Sequence, residues 1–277
     1  MCRAATCCKQ PFVTDSSWQF RDDITKEIRD TNAAITLSFA ICNSAMAIKR
    51  QHLRSLKATF DKDKKDLIEF ARKRKTGEIQ GNEEYVIQVD FRYLPVAKMP
   101  TDKLQAHVLD RLSVVGRSLN LAVHIAESSI ALGESTASRN EQIKAFRASG
   151  TPRDRAFMAR YFGLPSGDGE VDEIYATTID AMVLHTDSLI YFTALLCSDL
   201  KEHGDELLSK YKKRLGRRNA PVITEVDFSS ARVDNMIPPD KEYESWHTAF
   251  VKRPKPLSLE LLLRIKRAET SAQQKST

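Results

Sequence analysis

Residues 22–75 read DDITKEIRDTNAAITLSFAICNSAMAIKRQHLRSLKATFDKDKKDLIEFARKRK and contain neither proline nor glycine. Their larger apolar side chains recur at intervals of three, four or seven residues, beginning with Ile24, Ile28 and Ile35. This is the spacing of one face of an α-helix. At 1.5 Å per residue, such a helix would be about 80 Å long. A helix of that length needs long neighbours to cover its apolar face.

Two later stretches, residues 101–148 and 169–215, repeat the helical spacing. We therefore predict a mostly α fold, an elongated antiparallel bundle of three long helices that run up, down and up, with shorter helices around them. The bundle is expected to occupy residues 21–230. A flexible tail at 1–20 precedes it, and a loop with a C-terminal amphipathic helix at 231–277 follows it.

Two shorter stretches alternate apolar and polar residues, as β-strands do. They lie at 85–93 (YVIQVDFRY) and 222–228 (VITEVDF), each after the end of a long helix. In an up-down-up bundle the first and third helices end at the same pole. We therefore expect the two stretches to pair there as a small two-stranded β-element.

The same geometry would bring two clusters of cations to that pole. One cluster is Arg72, Lys73, Arg74 and Lys75; the other is Lys212, Lys213, Arg214, Arg217 and Arg218. With a net charge of +6, such a basic pole favours binding of nucleic acid or another polyanion. The competing interpretation is a solvated pair of helix ends, because cations offset the negative end of a helix dipole. No aromatic residue interrupts either cluster to stack on bases.

The sequence contains few motifs that carry chemistry. It lacks the glycine-rich phosphate loops, the HExxH zinc motif and the GxSxG nucleophile motif. None of its five cysteines forms a CxxC pair, and no histidine follows a glutamate at the spacing of di-iron bundles. We expect no metal and no cofactor. The odd number of cysteines and an N-terminus without a signal-like apolar core indicate a cytoplasmic protein.

One histidine, His185, lies on the apolar stripe of the third helix. In the predicted bundle it is roughly level with Asn43 on the first helix and Ser129 on the second. These residues would form a buried polar layer that fixes the register of the helices. The alternative is a ligand pocket or a pH-sensitive switch.

The first and third helices each contain a widely apolar segment, at 33–48 and 181–197. The first, at about sixteen residues, is shorter than the roughly 20 apolar residues that span a bilayer. We therefore expect both segments to be buried in protein, without a membrane partner. Apolar side chains extend around most of each helix in these segments, which predicts a fourth packing helix or self-association.

A pair of residues on the second helix resembles a known family signature. Arg117 and His124, in RSLNLAVH, match the Arg-x(4–6)-His spacing of HEPN ribonucleases. These are all-helical proteins in which that pair from each of two subunits forms the cleavage site. The resemblance covers eight residues and implies joint action on a phosphodiester. Serine follows the arginine here, where the family more often has a larger polar residue.

From the sequence we predict a non-catalytic helical scaffold or binding protein. It would engage an anionic or protein partner through its basic pole. Two alternatives stay open: a HEPN-like ribonuclease that uses Arg117 and His124, and a bundle that inserts its apolar helices into a membrane.

Overall fold

The structure is a computed structural model that describes residues 13–79, 85, 87, 89–148, 154–166 and 169–249. The predicted C-terminal amphipathic helix, within residues 258–269, lies outside the described residues. The chain divides into two compact units, one ending at Pro238 and the next beginning at Pro239. In the second unit, a 3₁₀ turn at Asp240–Tyr243 leads into helix α8, Glu244–Ala249.

The long helix predicted at residues 22–75 is present and begins earlier than expected. Helix α1, Val13–Ile48, continues through a π-helical turn at Lys49–Leu53 into helix α2, Arg54–Thr76. Residues 13–20, predicted to belong to the flexible tail, are helical. The side chain of Phe20 packs on an apolar cluster that includes residues near the end of α6, Ile174–Leu215.

The second predicted helix is in fact two helices. Helix α3, Thr101–Arg111, and helix α4, Arg117–Ala148, are separated by an irregular turn at 112–116. Gly116 has φ +67°, a left-handed conformation that glycine adopts without steric cost. The chain reverses direction at this turn. The prediction of one helix over 101–148 is wrong because the apolar spacing continues across the turn, where Leu112 and Val114 are also buried.

A carboxylate on α1 holds this turn. Glu27 accepts hydrogen bonds from the backbone N–H of Ser113, at 3.1 Å, and from the Ser113 hydroxyl, and His203 Nε2 lies 3.2 Å away. Burial raises the pKa of Glu27, but the bonds from Ser113 and the proximity of His203 outweigh it, so the net pKa is lowered. Glu27 is therefore a carboxylate at neutral pH and a fixed acceptor for the turn.

Helix α6, Ile174–Leu215, packs antiparallel to the α1–α2 helix. Ser38 Oγ donates to the carbonyl oxygen of Thr193 at 3.0 Å, and further along the helix Lys57 Nζ pairs with Asp180 at 2.9 Å. Residue numbers therefore rise along α1 and α2 as they fall along α6. The predicted arrangement, with the first and third long helices parallel, is wrong because the turn at 112–116 adds one more reversal.

Helix α4 also runs antiparallel to α6. Arg117 Nε lies 2.9 Å from Asp199 Oδ2 near one end, and the rings of Phe146 and Tyr175 lie 5.3 Å apart near the other. A short helix, α5 at Arg155–Phe162, stands between α4 and α6 in the chain. Helix α3 packs on α1 and α4. Helix α7, Ser229–Val233, follows α6.

The described residues contain no β-strand, so the predicted two-stranded element is wrong. Side chains on the helices hold the two stretches separately. Asn140 on α4 donates to the carbonyl oxygen of Leu94 and accepts from its N–H, at 2.8 and 2.9 Å. Asn32 on α1 likewise donates to the carbonyl oxygen of Val222 and accepts from the N–H of Thr224, both at 2.8 Å. Each amide takes the place that a neighbouring strand would occupy.

An aromatic core fills the end of the bundle where α2, α4, α5 and α6 meet. Its rings belong to Phe60, Phe146, Phe157, Tyr161, Phe162 and Tyr175. Arg139, also on α4, is fully buried beside it, with its guanidinium carbon 5.9 Å from the Tyr175 ring. This guanidinium donates to the carbonyl oxygens of Arg92 and Asp90 at 2.8 and 3.2 Å. Arg139 therefore ties the chain after α2 to the core.

Candidate functional site

The two basic clusters lie at opposite ends of the bundle. Lys57 on α2 is level with Asp180, and from these residues α2 and α6 extend in opposite directions. Arg72 lies fifteen residues beyond Lys57, and Lys212 thirty-two residues beyond Asp180. At 1.5 Å per residue this separates the clusters by about 70 Å. The expected convergence at one pole does not occur, because α1 and α6 are antiparallel.

The cluster at the end of α2 is partly neutralised by acidic neighbours. We use "α2 cluster" for Arg72, Lys73, Arg74 and Lys75. Arg72 pairs with Glu69 at 2.9 Å and with Glu78 at 3.1 Å, and Lys73 lies 3.8 Å from Glu69. The hydrogen bond from Arg72 lowers the pKa of Glu69, which keeps that carboxylate ionised beside the cluster.

The cluster at the end of α6 differs, because the stretch SKYKKRLGRR at 209–218 contains no acidic residue. We use "α6 cluster" for its cations, Lys210, Lys212, Lys213, Arg214, Arg217 and Arg218. All six are exposed. Within the part of the chain that the structure describes, none of them forms an ion pair. Six positive charges therefore project into solvent from one helix end and the turn after it.

Aromatic side chains accompany the α6 cluster, although they come from a distant part of the sequence. The guanidinium carbon of Arg214 lies 4.0 Å from the centre of the Phe20 ring, in cation–π contact across α1 and α6. Trp18 lies two residues earlier on α1, on nearly the opposite side of the helix from Phe20. It is 60% exposed, and Arg21 lies 5.7 Å from its ring centre. An aromatic face and a seventh cation thus stand at the same pole.

A rigid scaffold positions these side chains. Ile24 and Ile28 on α1 pack against Leu207 and Tyr211 on α6, directly below the cluster. Gly204 allows the chain after α6 to lie against the helix, because a Cβ atom there would come within 2.9 Å of Ile223. Chemically, the pole can neutralise several phosphates at once and offer an indole ring to a base. Sequence reasoning identified the cations but missed Trp18 and Arg21, whose i, i+3 spacing on α1 was the available signal.

The pair that resembles the HEPN signature lies on one face of α4, toward α6. Arg117 forms an ion pair with Asp199 through two of its nitrogens. His124 lies 3.2 Å from Glu127 and stacks on Phe192, with ring centres 5.4 Å apart. The guanidinium that would bind a phosphodiester is thus already held by a carboxylate.

The structure does not form the predicted polar layer. Asn43 is exposed, and Ser129 and His185 are only half-buried. Burial lowers the pKa of His185, which favours the neutral imidazole. Among the described residues, the charged side chain that is fully buried is instead Arg139, which sequence reasoning did not select because arginines usually lie at the surface.

Two further features of the structure bear on metal binding and on membrane insertion. In the part of the chain that is described, no group of three or more histidine, cysteine or acidic residues is placed to hold a metal ion. The helices Trp18–Thr76 and Ile174–Leu215 are long and apolar enough to cross a membrane by length and composition. Their most apolar windows are 39% and 56% buried in the bundle, and the core helix of a soluble protein meets the same criterion.

Comparison with known proteins adds no relative from which a function could be carried over. No family model matches the chain, and neither a curated protein nor a solved structure shows significant similarity to it.

Proposed function

We propose that this protein is a non-catalytic helical binding protein that holds nucleic acid at the α6 cluster. One observation carries the proposal. Six exposed cations stand within nine residues, and the described residues supply no ion pair to any of them. The α2 cluster, with its acidic neighbours, is the weaker candidate for the same role.

The physical basis is the release of counterions. Each phosphate that a lysine or arginine neutralises frees a condensed cation into bulk solvent, and the gain grows as salt concentration falls. Such binding does not read base sequence, because phosphates are the same at every position. Exposed Trp18 adds a surface on which an unpaired base can stack, so we expect a preference for single strands over duplex.

A salt series tests this proposal. A labelled 20-nucleotide RNA is titrated with the protein between 50 and 200 mM salt, and binding is followed by fluorescence anisotropy. If about five phosphates are neutralised, the slope of log affinity against log salt is about −3.5 for a single strand, which makes binding about 100-fold weaker over that range. A duplex DNA of equal length is the comparison. Absence of binding at 50 mM salt, or a slope near zero, would contradict the proposal.

The same protein samples can be used to test the two alternative functions, a ribonuclease and a membrane-inserting bundle. RNA cleavage that is lost on replacing His124 with alanine would support the ribonuclease instead. Leakage of dye from anionic liposomes would support membrane insertion. We expect intact RNA and intact liposomes, because Arg117 is held by Asp199 and the apolar faces of α1 and α6 pack on each other.

A further inference from the structure

A second candidate site lies about halfway along the bundle, where the π-helical turn faces α6. A cavity of about 280 Å³ opens there. Lys49, Leu53, Arg54 and Lys57 line it from the long helix, and Thr186 lines it from α6. This site is independent of the α6 cluster and of the function proposed for it.

The π-helical turn accounts for the position of this cavity. The backbone N–H of Arg54 bonds to the carbonyl oxygen of Lys49, five residues earlier. In an α-helix it would bond to the carbonyl oxygen four residues earlier. One extra residue is accommodated in the turn, and the helix is locally wider. Turns of this kind occur frequently at functional sites.

Thr186, one of the residues that line the cavity, has an unpartnered hydroxyl. Thr186 is fully buried, and its Oγ1 has no hydrogen-bond partner among the described residues. Buried threonines elsewhere in these helices behave differently. The hydroxyls of Thr31, Thr136, Thr178 and Thr193 each donate to the carbonyl oxygen four residues earlier. A buried hydroxyl without a partner is costly, so Thr186 points to a partner supplied from outside the chain.

The three cations that line the cavity differ in whether a carboxylate already pairs with them. Lys49 pairs with Asp187 at 2.5 Å, and Lys57 pairs with Asp61 and Asp180 at 2.5 and 2.9 Å. Arg54 has no carboxylate partner among the residues that the structure describes. It donates only through Nη2, to the carbonyl oxygens of Asp234 and Asn235 at 2.8 and 2.7 Å.

The uncommitted cation and the cavity walls define a ligand class. The carboxylates of Asp61, Asp180 and Asp187 pair with Lys49 and Lys57, so Arg54 is the lining cation without a carboxylate partner among the described residues. Leu53, Ala58 and Val183 form apolar walls beside the charged groups. We propose that the cavity binds a small organic carboxylate, with its anionic group at Arg54 and Thr186 and its short apolar body against these walls.

Calorimetric titration tests this proposal with three probes and the full chain. Hexanoate has the charge and the apolar body, hexanol has the body alone, and inorganic phosphate has charge without a body. We expect hexanoate to bind saturably with one site, and both other probes to bind at least tenfold more weakly. Thr186→Val preserves the side-chain shape and removes the hydroxyl, and it should weaken hexanoate binding at least tenfold.

The variants also show whether a loss of binding is caused by a loss of folding. Thr186→Val breaks no hydrogen bond among the described residues, so its melting temperature should not fall. Arg54→Lys keeps the charge but loses the planar donor group, and it should also weaken hexanoate binding. Equal binding of hexanoate and hexanol, unchanged affinity in Thr186→Val, or no binding of hexanoate would each overturn the proposal. Saturable binding of phosphate alone would overturn the proposed ligand class.

Discussion

Replacing Arg139 with methionine is expected to destabilise the protein by about 3–5 kcal/mol, because two carbonyl oxygens lose their donors at roughly 1–3 kcal/mol each. Arg139 is completely buried on α4. Without its guanidinium, the carbonyl oxygens of Arg92 and Asp90 lose their donors inside the protein. The cation–π contact with Tyr175 is lost as well. Urea unfolding followed by circular dichroism measures the change in the free energy of unfolding.

Arg147→Met is the matched control for this substitution. Arg147 lies on the same helix and donates at 2.7 Å to a carbonyl oxygen of the same segment, that of Phe91, but it is exposed. Water can replace its hydrogen bond, so we expect a loss of at most about 1 kcal/mol. Equal losses in the two variants would show that burial of Arg139 does not set the cost. The conclusion that Arg139 anchors the segment to the core would then be wrong.

Neutralising five of the six cations in the α6 cluster should have the largest effect on binding. Replacing Lys212, Lys213, Arg214, Arg217 and Arg218 with glutamine is expected to weaken binding of a single-stranded RNA at least about 100-fold at 50 mM salt. The slope of log affinity against log salt should also become shallower, by about 3, because fewer counterions are released. Anisotropy titrations of wild type and variant measure both quantities.

The α2 cluster provides the control for net charge. Replacing Arg72, Lys73, Arg74 and Lys75 with glutamine removes four positive charges from the other end of the bundle. The two ends are several Debye lengths apart, since that length is about 8 Å at physiological salt. We therefore expect affinity to change by less than about threefold in this variant. A comparable loss in both variants would mean that net charge, not a site, governs binding.

The sequence predicted helical content well because the apolar spacing within each helix is local information. It did not predict the reversal at 112–116, because the turn depends on Glu27, eighty-six residues away in the chain. No local signal opposed a continuous helix there except Gly116. Every later error in the arrangement of helices follows from this missed turn, including the convergence of the two basic clusters.

The strand prediction failed for a different reason. Alternating residues do place apolar side chains on the core, as Val89 and Phe91 show. The backbone around them, however, bonds to side chains on α4: Asn140 accepts from the N–H of Leu94, and Arg139 donates to the carbonyl oxygen of Asp90. Alternation indicates which side chains face the core and does not identify the backbone's hydrogen-bonding partners.

The candidate site could be predicted only in part. The cations of the α6 cluster are evident in the sequence because no acidic residue interrupts them. Their association with Trp18, Phe20 and Arg21 is not evident, since it requires α1 to begin where α6 ends. That adjacency is a consequence of the antiparallel packing of the two helices.

The fluorescence of Trp18 tests most directly whether nucleic acid binds at this pole. The chain has two tryptophans, so replacing Trp246 with phenylalanine leaves Trp18 as the only one. Titration with single-stranded RNA at 50 mM salt should quench Trp18, and the quenching should saturate together with the anisotropy of the labelled RNA. Anisotropy that rises while Trp18 fluorescence stays constant would place the RNA elsewhere and contradict the account, as would the absence of any binding.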